Sequence, residues 1–256
     1  IRFCDIGGRT YLNLLDRILP IIEDQDYEID IEDNRDVHEF KFEKIDESLH
    51  FEKTWGPKHP QAGQPIVLRD YQVETINKFL ENPQCLQEIA TGAGKTIITA
   101  TLSQLVEPYG RSIVIVPNKS LVTQTEGDYK TLGLDVGVYY GERKEFDKQH
   151  TICTWQSLNN MLKKTKKFEA EVNIGDFLEG VVCVMVDEVH QAKADVLKTL
   201  LTGPFASVPI RWGLTGTIPK EDYEMASLQA SLGEVINKLS ASELQDKGVL
   251  ANCHVN

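Results

Sequence analysis

From residue 66 onward, apolar runs rich in β-branched residues alternate with amphipathic stretches. The runs are "RSIVIVP" (111–117), "HTICTW" (150–155), "VVCVMVDE" (181–188) and "IRWGLTGT" (210–217), with "TIITATLSQLV" and "LVTQTEGDYKTL" among the stretches between them. A continuous apolar run suits a strand covered on both faces, and the intervening stretches carry helical spacing. Strand–helix alternation of this kind predicts an α/β architecture: a doubly wound, mostly parallel sheet over residues 66–240.

The first part of the chain has another texture. "YEIDIED" and "HEFKFEKID" alternate polar and apolar positions, and residues 12–22 form an apolar segment, helical or extended. Alternation with a period of two predicts half-buried antiparallel strands, hence a small α+β accessory domain over residues 1–60. "WGPKHPQAGQP" (55–65) follows, with three prolines, two glycines and no apolar period, and reads as a linker.

Composition narrows the class. The 256 residues are 41% hydrophobic, enough for one large core and a smaller unit. No apolar run approaches the roughly 20 residues that span a bilayer, and "IRFCDIGG" lacks the basic start and apolar centre of a secretory signal. The expectation is a cytoplasmic protein with no membrane contact. The five cysteines, Cys4, Cys85, Cys153, Cys183 and Cys253, contain no C-x-x-C pair and read as reduced core residues, without disulfides or zinc. A formal charge of −12 excludes binding to polyanions by sheer basicity, so any nucleic-acid contact is local. The one basic run, "KKTKK" (163–167), reads first as a solvated helix end and second as a phosphate contact.

Candidate chemistry concentrates at predicted strand ends, where ligands of such sheets collect. "ATGAGKT" places Thr91, Gly92, Ala93, Gly94, Lys95 and Thr96 between a short apolar stretch (86–89) and a helix. Glycines let backbone N–H groups turn inward as a nest for phosphate oxygens, which the helix dipole also favours. Lys95 supplies a point charge to the terminal phosphates and Thr96 a hydroxyl to Mg²⁺. Ile89 stands where the full G-x-x-x-x-G-K-[ST] pattern has its first glycine. Asp187 and Glu188 end an apolar strand 92 residues after Lys95 (187 − 95), where paired carboxylates are costly unless a cation or a reaction needs them. Asp187 suits Mg²⁺, and Glu188 suits orienting and deprotonating a water. Gln72 in "LRDYQ" offers an amide able to read an adenine edge, and "GLTGT" (213–217) adds Thr215 and Thr217.

In order, "RDYQ", "ATGAGKT", "IVIVPNKSLVTQ", "TICTWQSL", "DEVH" and "GLTGT" resemble the Q motif and motifs I, Ia, Ic, II and III of superfamily-two helicases and translocases, over roughly residues 66–220. The first Walker glycine is commonly replaced in that family. With the N-terminal "GGRTYLNLLDRILP", the order is similar to phage recombination helicases of the UvsW type. The resemblance implies a RecA-like P-loop lobe using ATP and Mg²⁺. Lys95, Asp187 and Glu188 would be catalytic, Thr96 and Asp187 would hold the metal, and His190, Thr215 and Thr217 would couple hydrolysis to movement. Pro117, Asn118, Lys119, Thr154 and Gln156 would contact nucleic acid. It further implies a monomeric motor on branched, forked or single-stranded DNA, with RNA in R-loops as a further substrate. Fork regression, branch migration and R-loop unwinding, in recombination and repair, would be its activities, in the host cytoplasm if phage-encoded. Residues 241–256 resemble the bridge toward a second lobe. That lobe supplies arginines to the departing phosphate, so a fragment with little hydrolysis of its own is expected. The rivals are a restriction-enzyme motor subunit, an RNA helicase and, in a different class, a nucleotide-binding interaction module without motor activity.

Overall fold

The computed structural model describes residues 3–169, 171–192 and 194–250. The elements are α1 (Leu15–Glu23), α2 (Asp70–Glu81), β1 (Gln84–Ile89), α3 (Lys95–Val106), β2 (Arg111–Val116) and α4 (Lys119–Thr131). Next come β3 (Val136–Tyr140), β4 (Arg143–Lys144), β5 (His150–Thr154), α5 (Trp155–Lys166) and α6 (Ile174–Leu178). The remainder is β6 (Val181–Asp187), α7 (Ala194–Thr202), β7 (Ile210–Thr215), α8 (Asp222–Leu232), β8 (Glu234–Leu239) and α9 (Ala241–Asp246).

The strands form one eight-stranded sheet in the order β4-β3-β5-β2-β6-β7-β1-β8, parallel throughout except where β4 pairs with β3. This is the α/β class that the apolar runs predict. β2, β5, β6 and β7 are buried along nearly their whole length because helices cover both faces. One core cluster gathers Ile76, Phe79, Ile98, Leu102, Val114 and Trp212, and the other Ile113, Ile115, Phe177, Leu197 and Phe205. Along β2, Val114 and Ile115 fall in different clusters, as alternation across a sheet requires. The order puts β7 between β6 and β1, with Asp187 level with Leu214 and Glu88 level with Thr215. The carboxyl ends of these three strands therefore open onto one place.

The N-terminal reading needs correction. Among the described residues, 1–60 contain α1 but no ladder strand, only isolated bridges from Cys4 to Thr10 and from Thr54 to Pro65. "HEFKFEKID" is extended, yet side chains of the large lobe satisfy its backbone. Tyr109 Oη accepts from Lys41 N–H at 2.9 Å and donates to the Lys41 carbonyl at 2.8 Å. Asn77 does the same for Ile45, at 2.9 and 3.0 Å. Phe40 and Phe42 then pack edge-on against the Tyr109 ring, at 5.2 and 5.3 Å. The apolar alternation is real, but it faces this lobe in place of a second strand.

The proline-rich stretch 55–65 also departs from a plain linker. It closes on itself: Trp55 N–H donates to the Gln64 carbonyl at 3.0 Å, Gly63 N–H to the Trp55 carbonyl at 3.0 Å, and Trp55 stacks on His59 at 3.9 Å. Cys85, Cys153 and Cys183 are buried as expected, whereas Cys4 is exposed and Cys253 lies outside the described residues. The lysines of 163–167 end α5, where the helix dipole favours cations and water solvates them. Among the described residues no helix is long and apolar enough to cross a membrane. Of the expected bridge, α9 and the turn to Leu250 are described, and residues 251–256 lie outside the described residues.

Candidate nucleotide-binding site

The loop between β1 and α3 takes the shape its glycines permit. Gly92 and Gly94 have φ of +89° and +76°, the left-handed region that L side chains avoid. A Cβ on Gly94 would also stand 2.7 Å from Gln72 Nε2. Gly94 is the N-cap of α3 and no side chain caps that end. The first N–H groups of this twelve-residue helix are left to a ligand, and the dipole there favours an anion. An uncapped end, a glycine cradle and a buried ammonium at Lys95 together fit a phosphate group.

Gln72 and Tyr71 hold this loop from below. Gln72 Oε1 accepts from Arg69 N–H at 3.0 Å, the reach-back of a capping box, and its Nε2 donates to the Ala93 carbonyl at 3.1 Å. Tyr71 Oη donates to the same carbonyl at 3.0 Å. The amide expected to read adenine is engaged with the loop. The segment that leads into α2 lines a groove of about 440 Å³, formed by Gln61, Gln64, Pro65, Val67, Leu68 and Arg69.

Lys95 forms an ion pair with Glu188, and both side chains are under 10% exposed. Neighbouring strands lie about 4.8 Å apart, so β1 and β6, with β7 between them, are joined only by long side chains reaching across. Lys95 Nζ also donates to the Ile89 carbonyl at 3.3 Å. Glu188 holds φ 52° and ψ 51°, a left-handed conformation that costs a non-glycine residue about 1–2 kcal/mol. That turn lets Glu188 N–H donate to Asp187 Oδ1 at 2.8 Å and aims the two carboxylates differently. Burial, reinforced by the charge of Glu188 and opposed by Lys95, pushes the Asp187 carboxyl up to about 6.

Beyond Glu188 the network continues. His190 Nδ1 lies 2.9 Å from Thr215 Oγ1 and 3.3 Å from Glu188 Oε2. Thr215 donates its one proton to the Thr217 carbonyl at 2.7 Å, so His190 Nδ1 carries the proton it shares with these oxygens. Gly216 N–H donates to Glu188 Oε2 at 3.4 Å, and Thr217 N–H donates to Thr215 Oγ1 at 3.3 Å. A Cβ on Gly216 would stand 3.3 Å from Thr91 Oγ1, which places the 215–217 loop against the phosphate loop. Lys95, Glu188, His190, Thr215 and Thr217 are thus one connected set.

Thr96 is the exception. Its hydroxyl donates to Asp128 of α4, not to Asp187. Burial pushes the Asp128 carboxyl up, against the hydrogen bond from Thr96 and the charge of His59. No feature of the sequence singles out Asp128, which follows Thr96 by 32 residues on a helix of mixed polarity. Among the described residues no group of three or more His, Cys, Asp or Glu could hold a metal. A hydroxyl and a carboxylate beside a phosphate cradle suit Mg²⁺, which takes most ligands from phosphates and water.

The residues expected at nucleic acid sit on adjoining strand ends, since β2 pairs with β5. Gln156 Nε2 donates to the Pro117 carbonyl at 3.4 Å, and Asn118 and Lys119 are exposed. Asn118 caps α4 by accepting from Leu121 N–H at 3.1 Å. Thr154, only 1% exposed, caps α5 by accepting from Ser157 N–H at 3.3 Å. Two of the five side chains therefore have structural duties.

One further cluster resembles a nucleophile triad. Ser112 Oγ lies 2.7 Å from His150 Nδ1, whose Nε2 lies 2.7 Å from Glu107 Oε1. Ser112 and His150 are fully buried, however, and Ser103 and Tyr129 close the network. It ties β2 to β5 and admits no substrate.

A mostly parallel sheet with a phosphate cradle, an acid pair and a hydroxyl loop at three adjoining strand ends is the first, RecA-like lobe of a superfamily-two helicase or translocase. The chain belongs to the family described as type III restriction enzyme, res subunit, whose model matches residues 65–220, more than half its length. It is 27% identical over 222 residues to the DNA 3'-5' translocase XPB2 of Sulfurisphaera tokodaii, covering 83% of this chain and 45% of that protein. It is 23% identical over 199 residues to the ATP-dependent DNA helicase uvsW of Enterobacteria phage T4, covering 73% and 37% respectively. The crystal structure of the UvsW helicase from bacteriophage T4 superposes with a TM-score of 0.70 at 18% identity, over 93% of this chain and 82% of that one, and shows the same fold. The chain spans less than half the length of the two curated relatives.

Proposed function

We propose that this lobe binds ATP with Mg²⁺ and drives a motor on branched DNA, regressing forks, migrating branches and clearing R-loops in recombination and repair. The observation that carries the reading is the Lys95–Glu188 ion pair across the mouth of the sheet. The pair lets two buried charges compensate one another. A triphosphate competes for Lys95, and release of Lys95 frees Glu188 to orient a water and take its proton. His190, which contacts both Glu188 and Thr215, registers that change and passes it to the 215–217 loop. Mg²⁺, held by Asp187, Thr96 and the phosphates, would neutralise charge developing on the phosphate oxygens.

Residues 117–119 and Gln156 face the sugar-phosphate backbone through amide and backbone groups, a contact needing little net positive charge. Residues 1–60 act as the accessory unit that favours branched over linear DNA, residues 66–240 as the lobe, and residues 241–256 as the bridge. The description of the matched family favours a second reading, the motor subunit of a restriction enzyme. Competition binding among forked DNA, linear duplex and structured RNA, with ATP and Mg²⁺ present, separates these readings. Preference for the fork is expected, and its loss on deleting residues 1–60. Equal binding of fork and duplex contradicts the branched-DNA role, and tighter binding of RNA returns the RNA-helicase alternative.

A further inference from the structure

We propose that Asp128 is a positioning residue for the metal: by accepting the hydrogen bond of the Thr96 hydroxyl, it leaves the lone pairs of that oxygen free for the cation beside the phosphate cradle. The inference rests on the proposed role of Thr96 and names a residue outside the motifs that suggest that role.

Three observations carry it. First, the Thr96 hydroxyl, in the opening turn of α3, is bonded differently from the threonines that follow it. Thr99 Oγ1 donates to the Thr96 carbonyl at 2.9 Å and Thr101 Oγ1 to the Ile97 carbonyl at 2.8 Å, the usual return to the preceding turn. The Thr96 hydroxyl instead crosses to another helix. Second, among the described residues the Asp128 side chain forms no other hydrogen bond and no ion pair. A half-buried carboxylate so sparsely matched is costly unless further positive charge arrives nearby. Third, Asp128 enters from α4 and not from the phosphate loop, so its place relative to Thr96 is set by the packing of α4 on α3. Tyr129, the next residue, is fully buried and bonds Ser103 of α3.

The chemistry follows from the hydroxyl group. It has one proton and two lone pairs, and a cation can take only a lone pair. A hydroxyl free to rotate points its proton at the metal part of the time, and a fixed acceptor on the far side removes those orientations. Groups that orient metal ligands in this way commonly change metal affinity about 10–100-fold.

The test is an equilibrium titration of the full chain with ATP, in Mg²⁺ and again in EDTA, read as the ratio of the two affinities. The wild-type chain binds more tightly in Mg²⁺. Asp128→Ala is expected to reduce that gain by roughly tenfold or more, leaving the affinity in EDTA and the unfolding midpoint unchanged. Asp128→Asn, which keeps an acceptor oxygen, restores most of the gain. In a Thr96→Ala background, Asp128→Ala changes the ratio no further. A wild-type ratio retained by Asp128→Ala, or an equal loss in Mg²⁺ and EDTA, overturns the role of Asp128 alone. A wild-type chain with no Mg²⁺-dependent gain overturns the reading of Thr96 and this inference with it.

Discussion

At the level of single residues, the account turns on charges that are affordable only together. Lys95 and Glu188 are both buried, so removing one leaves the other unpaired, at a cost of about 3–5 kcal/mol, whereas replacing both can be close to neutral. Lys95→Met and Glu188→Gln should each lower the unfolding midpoint, and the double variant should regain most of the loss. Additive losses in thermal denaturation would show that the two charges do not stabilise one another. Much of this site is legible in the sequence. A glycine turn, a lysine and an acid pair at strand ends need few other contacts to define them, and Lys95 and Glu188 do meet. The spending of side chains on local structure is not legible: Thr154 and Asn118 look like backbone contacts until their capping bonds are seen. Asp128 is invisible because only the packing of α4 on α3 brings it to Thr96.

At the level of elements, continuous apolar runs translate into strands because helices cover both faces, and that holds for β2, β5, β6 and β7. β8 lacks such a run: "EVINKL" is an edge strand, paired on one side with β1 and half-exposed. The N-terminal alternation misleads for a related reason. Period two reports one buried face, but not what provides it, and here Tyr109 and Asn77 provide what a partner strand would. Tyr109→Phe should therefore loosen residues 40–45, with amide exchange at Lys41 rising while that of β2 is unchanged; unchanged exchange at Lys41 would argue for a different anchor. A second anchor carries a pH dependence. His50 is buried, its Nε2 3.0 Å from Thr101 Oγ1 of α3, and burial, aided by the charge of Lys53, lowers its pKa from the ordinary 6.5 to about 4. The unfolded chain then binds the His50 proton more readily between these values, so the His50 contribution to stability falls as pH drops from about 6.5 toward 4, by up to about 3 kcal/mol. The Asp187 carboxyl, held at about 6, works in the opposite sense over the same range, so the His50 contribution is read by difference: in urea titrations His50→Gln should lose less stability, or gain more, than the wild type as pH falls. The same pH dependence in the two proteins would show that His50 carries none of it.

At the level of the whole molecule, the sheet brings the ends of β1, β7 and β6 to one place, which the proposed function makes one wall of a nucleotide site. On that proposal, arginines from a second lobe would act on the leaving phosphate. The 256-residue chain by itself should therefore bind ATP with Mg²⁺ yet show little DNA-stimulated hydrolysis, and a fast turnover abolished by Lys95→Ala would contradict the need for a second lobe. The most direct test of the central claim is the affinity of this chain for ATP in Mg²⁺, measured for the wild type and for Lys95→Ala with the fold of each checked by circular dichroism. The account predicts saturable binding that weakens roughly tenfold or more in the variant, the scale of one lost hydrogen bond to a charged group. Equal affinity in the two folded proteins, or no binding in either, would contradict it.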